Sequence, residues 1–307
     1  MLGIALLADR GPTMAAAMAA ALFAAAILLP VVLPVASFFS LLFIIGSAAV
    51  VAFVILKRGE IAALQSAGIC LAILVAMSLG LSGSAVKLPF VALVFWLPAI
   101  VAAVVLRRSV RLDLGVLVAT ACGLISVVGV TRFLGGREEA WRDLLIAQLG
   151  SAERTGLPQE QFDWLVDYIA SHMTGTIGVS VMLVAICALF IARFWQASIV
   201  NPGGFQEEFH ALSLGPVAAI VCVAGVGMSV VSGGMLWKSV AIVLLSAFFI
   251  QGLAIAHAIV KQRGLAKGWL FGLYALMVLV VNTLLLLAAL GLADNIYRLR
   301  RPGPPST

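Results

Sequence analysis

Three groups of residues have types and spacings that could do chemistry. Glu207, Glu208 and His210 crowd together in "FQEEFH". Carboxylates and an imidazole so close could in principle meet His257 at a metal. Gln251, His257 and Asn282 are the larger polar side chains inside long apolar blocks, where a polar group is costly and a functional suspect by default. Cys70, Cys122, Cys187 and Cys222 also lie in apolar blocks, and none forms a Cys-x-x-Cys pair. They read as small hydrophobes, with neither a disulfide framework nor a zinc site expected.

What is missing narrows the chemistry. No Ser/His/Asp set, no His-Glu-x-x-His and no Gly-rich nucleotide loop occurs. The expectation is therefore no catalytic residue, no cofactor, no resident metal and no ATP hydrolysis by the chain itself. His257 stands close enough to a block end to reach the membrane interface instead. Gln251 and Asn282 suit interhelical hydrogen bonds as well as substrate contacts.

The elements that position these residues follow from composition. The 307-residue chain is 63% hydrophobic and 10% charged, whereas soluble domains are about a quarter charged. Lipid is the solvent that tolerates such a chain. The fold class expected is all-α, a polytopic transmembrane helical bundle. A formal charge of +6 fits loop lysines and arginines. The expected partner is the lipid bilayer, and nucleic acid is not one.

No charge occurs from Gly11 through Leu56. That stretch is too long for a cleavable signal core or for one span. Pro30 and Pro34 divide it into helices at about 13–30 and 35–56. Further blocks at about 61–82, 89–106, 113–131, 173–197, 214–232, 239–260 and 268–292 bring the total to eight or nine spans. Eight applies if 214–232 dips in and returns. Residues 1–307 then form a single integral membrane domain. Its first part, 1–131, holds five spans; 132–172 is external; 173–307 holds the remaining spans and a cytoplasmic loop at 193–213. With a cytoplasmic N-terminus, lysines and arginines divide ten against nine for nine spans, or eleven against eight for eight spans, the arrangement that makes the C-terminal "RLRR" cytoplasmic. The positive-inside rule favours this orientation. Trp195, Trp237 and Trp269 sit at block ends and are expected to anchor the interface.

The external segment carries two short amphipathic helices, "REEAWRDLLIAQL" and "PQEQFDWLVDYIASHM". They would cap the bundle or lie on the membrane, or form a lid over an outward cavity, with Asp143, Asp163 and Asp167 in solvent. Two helix-packing seams are expected where small residues recur every four positions. One is the alanine run with Ala15 and Ala19; the other is Gly264, Gly268 and Gly272. Such seams serve internal packing or, through the first helix, docking onto another membrane subunit.

The loop at 193–213 combines a turn, Asn201-Pro202-Gly203-Gly204, with a short amphipathic helix. Arg193, Trp195, Gln196, Asn201, Pro202, Gly203, Gly204, Phe205, Glu208, Phe209 and Leu212 resemble the loop of the YybS-like bacterial membrane proteins, a family of unknown function. The C-terminal Gly291, Leu292, Asp294 and Arg300 are similar to that family's closing motif, with the usual aromatic displaced to Tyr297. The resemblance implies a bacterial cytoplasmic (inner) membrane location. It also implies a distant similarity to the substrate-binding subunits of energy-coupling-factor transporters, bundles that bind a vitamin or metal and dock on a coupling subunit. Two functions are compatible with these readings. One is the membrane-embedded solute-binding component of a transporter that needs a separate energising partner. The other is a membrane scaffold or regulator acting through the 193–213 loop, whose motif residues would dock the partner.

Overall fold

The computed structural model describes residues 2–150, 152–266, 268–280 and 282–297. Lys267, Arg298, Arg300 and Arg301 lie outside the described residues. The helices, in chain order, are α1 (Leu2–Ala8), α2 (Pro12–Val32), α3 (Ser37–Arg58), α4 (Glu60–Ser82), α5 (Lys87–Ser109), α6 (Leu112–Phe133) and α7 (Glu139–Leu149). They continue with α8 (Ala152–Thr155), α9 (Gln159–Val200), α10 (Gly204–His210), α11 (Gly215–Ser232), α12 (Met235–Gln262), α13 (Gly268–Leu279) and α14 (Asn282–Tyr297). No strand occurs among the described residues. Eight of these helices are long and apolar enough to cross a membrane. Large apolar side chains such as Phe38, Phe133 and Val231 stand more than four-fifths exposed. Water would not tolerate so much of this surface, and lipid does. The chain is an all-α, multi-pass integral membrane protein.

Two compact units emerge, interleaved along the sequence. Unit 1 comprises Met1–Ala119 and Val181–Leu212; unit 2 comprises Thr120–Ser180 and Ser213–Thr307.

In unit 1, α3 is central. Every residue from Ser47 to Leu56 is buried, so the second half of this helix is enclosed on all sides. Ala15 and Ala19 of α2 are 1% exposed and let its backbone come close to α3. The Ser47 hydroxyl donates to the Ala19 carbonyl at 2.8 Å. The alanine seam is thus occupied by the chain's own packing. Phe23 meets Trp96 edge to face, and Phe53 meets Trp195 likewise, each with centroids 5.9 Å apart. Trp195 is 2% exposed. It is a core residue and not the interface anchor its position suggested, because its ring turns inward onto Phe53.

Unit 2 is organised by α12, which buries residues along its whole length. Gly252 of α12 and Gly291 of α14 face each other's backbones. A Cβ on Gly252 would overlap the Leu287 carbonyl, and one on Gly291 would overlap the Phe248 carbonyl. This is the close approach that small residues permit in lipid. The expected glycine seam behaves differently. Gly264 lies in a turn at φ +60°, and a Cβ on Gly264, Gly268 or Gly272 would meet nothing within 4 Å. Those three glycines end α12 and open α13 without drawing helices together.

Two elements depart from the sequence pattern, and a third takes one of the two forms the pattern allowed. The second amphipathic stretch is not a separate helix: it forms the opening turns of α9, a 42-residue helix about 63 Å long at 1.5 Å per residue. Polar residues there bond back along the helix. Ser171 donates to Tyr168 O at 2.9 Å and Thr176 to His172 O at 3.0 Å. Gly175 and Gly178 make room for Ser239 and Val243 of α12. The block at 214–232 is one unbroken 18-residue helix, about 27 Å long, and does not dip and return. The block at 268–292 is divided between α13 and α14, with Thr283 N–H bonded to Val280 O at 2.9 Å.

α7 is a distinct helix, as its pattern indicates. Leu145 and Ile146 pack on Phe162 and Val166 of α9. Trp141 Nε1 donates to Thr174 Oγ1 at 2.8 Å. Arg142 bonds Asp163 at 2.7 Å and Asp167 at 2.8 Å. Those two aspartates therefore clamp α7 instead of merely facing solvent. The Asp167 hydrogen bond pushes the Arg142 guanidinium above its usual range.

Candidate functional site

The conspicuous loop is built from the end of α9, a turn and α10. Asn201 O accepts from Gly204 N at 3.1 Å. Pro202 presets the first corner and Gly203 takes φ +94°, ψ −18° at the second, which is a type II turn that requires glycine there. Gly204 is small because a Cβ would come 2.6 Å from Asn201 Nδ2. The turn sends α10 back along α9. Phe205 and Phe209 stack on each other and meet Phe190 edge to face at 5.6 and 5.5 Å between centroids. Arg193 grips Glu208 through Nε and Nη2, one edge of its guanidinium. Arg193 Nη1 also donates to Gln196 Oε1 at 2.7 Å. Gln196 Nε2 passes the network on to Leu56 O at 3.0 Å. Glu208, Phe205 and Phe209 are thus spent on the chain's own packing, while Asn201, Pro202 and Glu207 are exposed.

The network leads to a pocket that the loop motif alone does not reveal. It measures about 290 Å³ and is lined by Leu56, Leu106, Arg107, Val110, Arg193 and Gln196. Arg107 Nη1 donates to Ile55 O and Leu56 O, each at 2.8 Å. These are carbonyls in the last turn of α3, where a helix ends with partial negative charge. Gly59 at φ +96° leaves space for this guanidinium, since a Cβ there would come 3.4 Å from Arg107 Nη2. Val110 closes α5 at φ +57°, the one described non-glycine residue in the left-handed region. A β-branched residue there costs roughly 1–2 kcal/mol, and such strain gathers at functional positions.

The same end of unit 1 collects its charged connectors. Asp9 pairs with Lys57 and Arg58, Glu60 with Arg108 and Asp113 with Arg111. The Asp113 hydrogen bond raises the Arg111 guanidinium above its usual range. Arg107 stands apart: its described hydrogen bonds go to backbone carbonyls, and no described carboxylate lies within ion-pair distance.

Unit 2 holds the second polar cluster. Gln251 is fully buried and Asp294 is 5% exposed. Leu214 N–H, at the start of α11, donates to Gln251 Oε1 at 2.9 Å. Gln251 Nε2 donates to Asp294 Oδ2 at 3.3 Å. A carboxylate is therefore held between α12 and α14 beside the positive end of α11. Gly291 allows the approach of α14 to α12 and Asp294 uses it, so the closing Gly-Leu-x-Asp motif is one packing device.

The remaining polar candidates have simpler settings. His257 Nδ1 faces Leu253 O at 2.9 Å and Nε2 faces Tyr274 OH at 3.2 Å. Asn282 is exposed at the start of α14. Asp294 was not legible as a buried group because the apolar block ends before it. The stripe Thr283, Leu287, Gly291, Asp294 at helical spacing carries it inward, and extending that stripe is the signal that would have found it. No family model matches the chain, and no curated protein or solved structure matches it either.

Proposed function

We propose that this protein is the membrane-embedded solute-binding component of a bacterial inner-membrane transporter, energised by a separate partner. The observation that carries this reading is the buried Gln251–Asp294 pair beside the N-terminus of α11. A carboxylate inside a lipid-embedded bundle is expensive and marks solute or ion pathways. Transporter sites place helix N-termini at such groups, on or near interrupted helices, and α13 and α14 divide an otherwise continuous apolar block. The similarity of the loop and closing residues to YybS-like proteins is consistent with it. The scaffold reading has less support, because Glu208 and Phe209 are turned onto Arg193 and Phe190. In this proposal the charged end of unit 1 faces the cytoplasm, by the positive-inside rule.

The test is native mass spectrometry of full-length protein released from membranes in mild detergent, for wild type, Asp294→Asn and Gln251→Leu. Wild type should carry a bound small solute or an ATP-hydrolysing membrane complex, and both variants should lose the solute. Wild type that carries neither, with variants indistinguishable from it, sinks the proposal.

A further inference from the structure

We propose that the Arg107 pocket of unit 1 binds a phosphate group, supplied by an anionic lipid headgroup or by a free phosphate-bearing solute. This does not depend on the transport reading, whose residues lie in unit 2.

Four observations converge on it. First, the pocket is about 290 Å³, ample for a phosphate with part of its ester. Second, two guanidinium groups and one amide line it, with no carboxylate among the described lining residues; Glu208 is held by Arg193, and Glu60, whose charge reaches Arg107, is held by Arg108. Third, Arg107 is a permanent cation with no described ion-pair partner, and its Nη1 is pinned by Ile55 O and Leu56 O. Guanidinium has five N–H donors in a planar fork that matches phosphate, and the α3 carbonyls occupy only the Nη1 end. Fourth, Val110 holds a left-handed conformation at the pocket wall and is 76% exposed, so the wall is open on that side.

The position suits the ligand. Arg107 lies in the last turn of α5, at the end of unit 1 where the charged connectors gather. This is where spans give way to headgroups, and basic pockets between transmembrane helices at that depth bind lipid phosphates. A competing role for Arg107 is capping of α3 alone. That role uses the same carbonyl bonds but predicts no response to any anion.

The experiment uses full-length, delipidated protein in zwitterionic detergent, with thermal unfolding followed against phosphatidylglycerol, phosphatidylcholine and inorganic phosphate. Stabilisation by phosphatidylglycerol but not phosphatidylcholine supports a lipid source, and stabilisation by inorganic phosphate supports a free one. Arg107→Gln should weaken the response at least tenfold, since a charge-assisted bidentate contact is lost. Arg111→Gln, whose parent residue is paired with Asp113 outside the pocket, should leave it unchanged. If Arg107→Gln does not fold, Val110→Glu decides: it keeps the α3 cap, puts a carboxylate at the pocket wall and should abolish the response. Indifference of wild type to all three additives overturns the proposal. So does an equal loss in Arg107→Gln and Arg111→Gln, or a full response in Val110→Glu.

Discussion

Replacing Gly252 by alanine should break the α12–α14 contact, and the structure sets the scale. The new methyl would overlap the Leu287 carbonyl oxygen and sit 2.6 Å from Leu287 C and 3.1 Å from its Cα. Ordinary carbon contacts are about 3.5–4.0 Å, so the helices must part by about 1 Å. None of those atoms belongs to a side chain that could rotate away. Forced overpacking costs about 1–3 kcal/mol, and a gap of that size also forfeits roughly a quarter to a half of each neighbouring dispersion contact. Alanine's better helix propensity returns about 1 kcal/mol. The net expectation is a loss of up to about 2 kcal/mol, with the same sign for Gly291→Ala, whose Cβ would also lie 3.0 Å from Gly252 N. The control is Gly272→Ala, where a Cβ meets nothing within 4 Å and propensity alone predicts no loss or a small gain. Reversible unfolding in bicelles, read for all three variants and for the Gly252→Ala/Gly291→Ala double, is the assay. The double should cost less than the sum, because one separation relieves both clashes. Gly252→Ala as stable as Gly272→Ala would refute the reasoning.

Val110→Gly should stabilise the protein by roughly 1 kcal/mol, since glycine takes the left-handed cap freely; the same bicelle assay reads it, and a loss of stability would mean that the Val110 side chain matters more than its backbone strain. Arg142→Ala should leave the melting temperature unchanged, as exposed ion pairs contribute little, yet amide exchange in α7 should quicken because Asp163 and Asp167 lose their clamp. Protection unchanged in α7 would show that Leu145, Ile146 and Trp141 suffice. Cysteines placed at Pro202 and Arg108, both in unit 1, should react with an impermeant thiol reagent from the same side of the membrane, because Gln196 and Arg107 join those two segments through Leu56.

Much of this fold was legible because hydropathy reports solvent directly. The breaks at Pro30, Pro34 and the charged connectors fall within a few residues of the helix ends. Hydropathy does not report helix continuity, and the errors arose there. The change of polarity around Ser171–Gly178 marks a change of surroundings, but nothing in it breaks a helix, so α9 runs through. The division between Leu279 and Asn282 has no proline or glycine to announce it. Trp195 shows the limit of positional rules, since a ring at a block end turns inward when a partner such as Phe53 is available. The candidate sites were half legible. Arg193, Gln196 and Glu208 stood out by type, and the structure joins them, whereas Arg107 looked like one more loop cation. Its difference lies in bonding to the α3 carbonyls and in having no described carboxylate within ion-pair distance, neither of which a single sequence displays.

α13 buries none of its residues, and at twelve residues it is about 18 Å long, well short of a hydrocarbon core of about 30 Å. Its described hydrogen bonds to the rest of unit 2 join Tyr274 with His257 and the Thr283 hydroxyl with the Leu276 carbonyl. Acyl chains, more than protein side chains, therefore set where this segment rests. Its tilt follows the thickness of the surrounding bilayer, and a thinner or thicker membrane strains those two hydrogen bonds before it disturbs any packed helix.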